Sequence, residues 1–111
     1  MQLTLPIIKA KLAEATGIPV AYTYYPNAKT FPYIVYDVVG DSPFSADDER
    51  YLTFSKVEVD LYTKYRDPTL VKKVEDTLTS LDVYFSKQET IVEDPECYNT
   101  IFTFNAIITE D

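Results

Sequence analysis

Residues 51–64, YLTFSKVEVDLYTK, alternate strictly at their centre: Val57, Val59 and Leu61 are apolar, while Lys56, Glu58 and Asp60 are charged. Successive side chains of a strand point to opposite faces. Both sets are therefore satisfied together only by a strand with one side in a core and the other toward water. That is the pattern of an antiparallel sheet covered on one face.

The flanking segments supply the cover and the remaining strands. Residues 5–16 read as a helix. Thr4 can cap it, Pro6 suits its first turn, and Ile8, Leu12 and Ala15 share one face with Leu5 a turn earlier. Gly17 is placed to end it in the left-handed conformation. Residues 19–25, PVAYTYY, form a short extended segment with Val20, Tyr22 and Tyr24 on one side, and PNAKTFP after it is a loop. Residues 33–40, YIVYDVVG, are rich in β-branched and aromatic side chains and read as a strand. In residues 67–81, Asp67 caps a second helix and Pro68 takes its first position. Leu70, Val71, Val74, Leu78 and Leu81 form its buried stripe, and Lys72, Lys73, Glu75 and Asp76 lie opposite. Residues 83–93 are extended, Asp94 and Pro95 begin a turn, and residues 98–108 form a last strand. Tyr98, Thr100, Phe102, Phe104, Ala106 and Ile108 fall on one of its faces. The order is α-β-β-β-α-β-β. It predicts an α+β domain over residues 1–111: a mostly antiparallel sheet of four to five strands, both helices packed on one face and the other face open. At 111 residues a single core is large enough to need no disulfide or metal.

Several kinds of chemistry are excluded. The chain has no histidine, which removes Ser-His-Asp and Cys-His nucleophilic arrangements and most zinc sites. Cys97 is the one cysteine, so no internal disulfide forms, and it reads as a passive, partly buried thiol. Only Gly17 and Gly40 are glycines, so there is no glycine loop to cradle phosphate. No cofactor or metal is expected, and no catalytic residue. The formal net charge of -8 disfavours contact with phosphate backbones and anionic membranes. The start of the chain lacks the basic first segment of a signal peptide, and no stretch approaches a membrane span.

Two features remain as candidate sites. The first is GDSPFSADDER, residues 40–50, which joins two strands where about two to five residues suffice for a turn. It carries Asp41, Asp47, Asp48, Glu49, Arg50 and the lone apolar Phe44. It superficially suggests a calcium loop but lacks the glycine and the spaced ligands of one. The second is the tyrosine set Tyr22, Tyr24, Tyr25, Tyr62 and Tyr65, drawn from ten tyrosines in all. Sheet packing accounts for some of these. The rest suit a protein interface, where tyrosine brings large contact area at low entropic cost.

The order of Phe31-Pro32-Tyr33, the Asp47-Asp48-Glu49 cluster, Val59-Asp60-Leu61-Tyr62-Thr63-Lys64 and a helix opening at Pro68 resembles the tail-completion, or tail-terminator, proteins of long-tailed phages and prophages. The better-matched part covers about half the chain. The resemblance implies a structural protein of the virion, not an enzyme: an α+β subunit that assembles in the host cytoplasm as a homo-hexameric ring. Such a ring caps the tail tube protein, ends tail polymerisation and offers the surface for the head-completion or connector protein. DNA passes its lumen without specific binding, and no membrane is involved. Within that frame the 40–50 loop is a candidate arm toward a neighbouring subunit, the tube or the lumen. A head-side neck connector differs from this reading only in location. A small acidic inhibitor imitating DNA is the reading from another class, and needs carboxylates regularly arrayed on one face.

Overall fold

The computed structural model describes residues 2–23, 30–43, 53–93 and 96–109. Its elements are β1 (Gln2–Thr4), α1 (Leu5–Thr16), β2 (Val20–Tyr22), β3 (Tyr33–Pro43), β4 (Thr53–Thr63), α2 (Pro68–Ser80), β5 (Phe85–Glu93) and β6 (Glu96–Thr109). Both helices begin where their caps predict. Thr4 Oγ1 accepts the Ile7 N–H at 3.2 Å and Asp67 Oδ1 accepts the Leu70 N–H at 3.1 Å. Each cap satisfies a donor that the first turn leaves free. Gly17 closes α1 with φ 72°, and its N–H reaches the Ala13 carbonyl at 2.8 Å.

The fold is α+β, but its sheet is mixed and has six strands. The expected four to five mostly antiparallel strands and the order α-β-β-β-α-β-β are corrected at the N-terminus. There, β1 precedes α1 and runs parallel to the end of β6, with Leu3 opposite Ile108. A second parallel pair joins β2 to β3, with Ala21 opposite Val35. The long antiparallel ladders β3–β4, β4–β6 and β5–β6 form the body of the sheet. The outer edge of β6 is shared, β5 pairing with its first part and β1 with its last. A 14-residue strand is long enough to carry both partners.

Register places the alternating residues in rows. On one face Tyr36, Val59 and Phe102 lie side by side, as do Val38, Val57 and Phe104. Both helices cover this face: Ile8 and Leu12 of α1 and Leu70, Val74 and Leu78 of α2 share one core with Ile34, Val57, Val59, Leu61, Phe102 and Phe104. Phe85 meets Phe102 edge-on with ring centroids 5.8 Å apart. The α1 stripe differs from expectation in one place. Ala15 is exposed and Thr16 is buried. The Thr16 hydroxyl donates to the Leu12 carbonyl at 2.7 Å, which lets a polar side chain take the core position.

The strand predicted over residues 33–40 extends to Pro43, with Asp41 opposite Ser55. The first residues assigned to the acidic loop are therefore strand. Phe44, Asp47, Asp48, Glu49 and Arg50 lie outside the described residues. A bulge at Val39 shifts the β3–β4 register between Val38 and Gly40. Just before it, Asp37 Oδ1 accepts the Val38 N–H at 2.8 Å. Bulges re-aim the chain near sheet edges and sites.

Phe102 is fully buried, so Phe102→Ala is expected to cost about 3–5 kcal/mol. Asp67→Ala removes only a cap and is expected to cost about 1 kcal/mol. Urea unfolding reads both as a lower midpoint at unchanged slope.

Candidate functional site

The face of the sheet turned away from the helices carries the residues left over from the core pattern. Three of its rows run across β3, β4, β6 and β5. They are Tyr33–Tyr62–Asn99–Thr90, Val35–Asp60–Ile101–Gln88 and Asp37–Glu58–Thr103–Ser86. Cys97 lies beyond the first of these rows, opposite Val92. Alternation on three long strands thus gathers polar side chains from well-separated parts of the chain.

One end of this face is aromatic. Phe31 stacks on Tyr33 with centroids 5.5 Å apart, and Tyr33 stacks on Tyr62 at 4.9 Å. Tyr33, Cys97 and Asn99 are buried although no helix covers them. Burial pushes the Tyr62 hydroxyl up to about 12, with the Asp60 carboxyl the next cause. Burial also raises the Cys97 thiol, which keeps it in the unreactive protonated form.

The other end is acidic. Asp37 is directly opposite Glu58, and Asp60 is two residues along β4 on the same side. The charged alternation predicts a fully wet face, and here the structure departs from that expectation. Lys56 is exposed, but Asp60 Oδ1 is inaccessible and has no hydrogen-bond partner. Burial is the largest cause that raises the Asp60 carboxyl to about 7. A hydrogen bond and charge repulsion from Glu58 follow, with Asp37 adding to them, while a hydrogen bond from Tyr62 acts in the opposite direction. Asn99 Oδ1 is a second buried acceptor without a partner. Among the described residues, no three acidic or cysteine side chains are arranged to hold a metal ion.

Of the sequence-predicted tyrosines, the three among the described residues, Tyr22, Tyr62 and Tyr65, do not converge. Tyr62 belongs to the helix-free face. Tyr22 lies at the β2 edge on the opposite side, half exposed and edge-on to Tyr36 at 5.2 Å. Tyr65 follows the end of β4 and is 74% exposed. It lines a shallow depression of about 310 Å³ with Phe31, Lys64, Ile91, Cys97 and Tyr98. Tyr24 and Tyr25 lie outside the described residues. Asp37, Glu58, Asp60 and Asn99 were not singled out by sequence. The usable signal was the like-charged pair two apart in VEVD, which a strand places side by side.

No protein-family model matches the chain, and no curated protein matches it.

The sign of the Asp60 effect is testable. Its folded value of about 7 lies above the ordinary 3.8, so the fold disfavours its ionised form. The resulting penalty is present above about pH 7 and disappears as pH falls toward the unfolded value. Asp60→Asn is expected to be more stable than the native chain at about pH 8, on the order of 1–2 kcal/mol after screening of a partly exposed group. The difference should shrink at about pH 5. Thermal melts at the two pH values check this, and a constant difference would count against it.

Proposed function

We propose that this chain is a structural subunit of a phage tail terminator: a ring that closes the finished tail tube and presents the surface to which the head attaches. The carrying observation is a sheet face that no helix covers among the described residues and whose aromatic end is nonetheless withdrawn from water. Tyr33, Cys97 and Asn99 are buried on the side away from the helices, and a face with an aromatic, water-poor end suits cover by a second protein layer.

Other features fit the same reading. The order of the Phe31-Pro32-Tyr33 strand start, the acidic 40–50 connection and the helix from Pro68 resembles that family, and the α+β architecture suits it. Ring subunits associate head to tail, which requires two different surfaces on each copy. The helix-free face and the exposed Tyr65 and Ile91 beside the depression offer candidate surfaces of different character. A net charge of -8 lets DNA traverse the lumen without being held. In this reading the partners are further copies of the chain, the tail tube protein and the head-completion protein, and the site of action is the head–tail joint of the virion.

Deletion of the gene from its phage is expected to give tails of irregular length that fail to join filled heads, and supply of the protein in trans should restore joining. Tails of normal length attached to heads in the deletion strain would overturn the proposal. Electron microscopy of the particles distinguishes the two results.

A further inference from the structure

The two layers of the molecule are left with opposite charges that they do not balance themselves. On the helix-free face Asp37 and Glu58 stand directly opposite each other, with Asp60 two residues along β4. Like charges opposed across a ladder repel. Lys56 adds a cation on β4, but it is exposed and makes no ion pair with any of the three among the described residues. The face is short of donors as well, since Asp60 Oδ1 and Asn99 Oδ1 are buried there without a hydrogen-bond partner.

The outer side of the helices has the reverse composition. Lys9 and Lys11 of α1 and Lys72 and Lys73 of α2 are exposed. Lys72 is tied to Asp76 at 3.4 Å, and Glu75 is tied to Lys87 of β5 at 2.7 Å. That leaves Lys9, Lys11 and Lys73 without an ion pair among the described residues, and only the Glu14 carboxylate on these helices to balance them. Ile7 is exposed on α1 too, which offers apolar area beside the charge. In a chain of net charge -8, a positive helix layer is not a by-product of composition.

We propose that the helix-free face of one copy is covered by the helices of the next, with Asp37 and Glu58 meeting the lysines of α1 and α2. The occupant is a second copy because the face and its complement are both present on this chain. The contact joins two different surfaces, so it runs head to tail and propagates from copy to copy. It names the subunit contact of the tail-terminator reading, and its closure into a ring rests on that reading. Complementary charge fixes the partner and its orientation more than it adds affinity. Contact area comes from Ile7 on one side and the aromatic end with Tyr62 on the other.

Sedimentation velocity of the native chain tests the contact. Association is expected to weaken about tenfold or more between about 50 mM and about 500 mM salt, because exposed charges are screened. Glu58→Lys is expected to block association, and so is Lys11→Glu combined with Lys73→Glu, since each variant meets itself with like charge. An equal mixture of the two is expected to associate, because the altered face of one then meets the altered helices of the other. Misfolded variants do not give that rescue. Glu58→Gln, which removes one charge at nearly constant shape, is expected to weaken association without abolishing it. Association untouched by Glu58→Lys, no rescue in the mixture, or a native chain that stays monomeric at both salt concentrations overturns the proposal. The ring reading is decided separately in the deleted phage. Heads joined normally when Glu58→Lys is supplied in trans would mean a ring built through other surfaces.

Discussion

Strand β4 lies between β3 and β6, and its alternation holds both faces of the molecule in place. Val57, Val59 and Leu61 are fully buried under the helices, each contributing about 1.5–3 kcal/mol of transfer energy. Lys56, Glu58 and Asp60 occupy the other side. A slip of one residue exchanges the two sets. It loses the aliphatic burial and drives two carboxylates and an ammonium beneath α1 and α2, at several kcal/mol per ion. The register of β4 is thus pinned from both directions, and its neighbours inherit it. Tyr36 and Phe102 meet Val59 on the core side only because Glu58 and Asp60 are kept out.

The same constraint creates the acidic problem on the far side. A residue at the centre of a sheet is hemmed in by its cross-strand neighbours even where no helix covers it. Val35 and Ile101 flank Asp60 on either side, and the Tyr33–Tyr62 stack lies in the neighbouring row. Asp60 is therefore outside the core yet not properly in water. Exclusion from the core is decided by the sign of the alternation. Hydration is decided by position within the sheet, and the two need not agree.

Much of the fold was legible because it is written in local rules. Thr4 and Gly17 bracket α1, Asp67 and Pro68 open α2, and period-two alternation marks β4 and β6. The misses have physical causes. Gln2–Thr4 is too short to show a period, and it becomes a strand only because β6 offers an edge beyond the end of β5. Thr16 replaces Ala15 in the core because its hydroxyl finds a carbonyl within its own helix, a compensation that a hydrophobicity pattern does not register. The carboxylate site was hidden for a different reason. Asp37, Asp60 and Asn99 are remote in sequence, and cross-strand register alone brings them together. Glu58 and Asp60 read as a solvated stripe because sequence gives the face of a side chain and not its neighbours. The tyrosines show the converse. Their number is a compositional signal, but it does not say that Tyr22 and Tyr62 lie on opposite sides of the sheet.

Face and edges of the sheet are built differently. The outer edge of β5 is nine residues long, and it presents Lys87, Glu89 and Glu93 among mostly exposed side chains. Lys87 is tied to Glu75 at 2.7 Å, and Glu89 to Arg66 at 3.2 Å. Charges along an edge discourage pairing with an arbitrary strand. At the other side of the sheet, β2 contributes only three residues. Beyond Tyr36 the outer edge of β3 has no paired strand among the described residues, so β2 covers only the first part of that edge. One end of the helix-free face is aromatic and the other acidic. Both ends follow from the alternation that also builds the core.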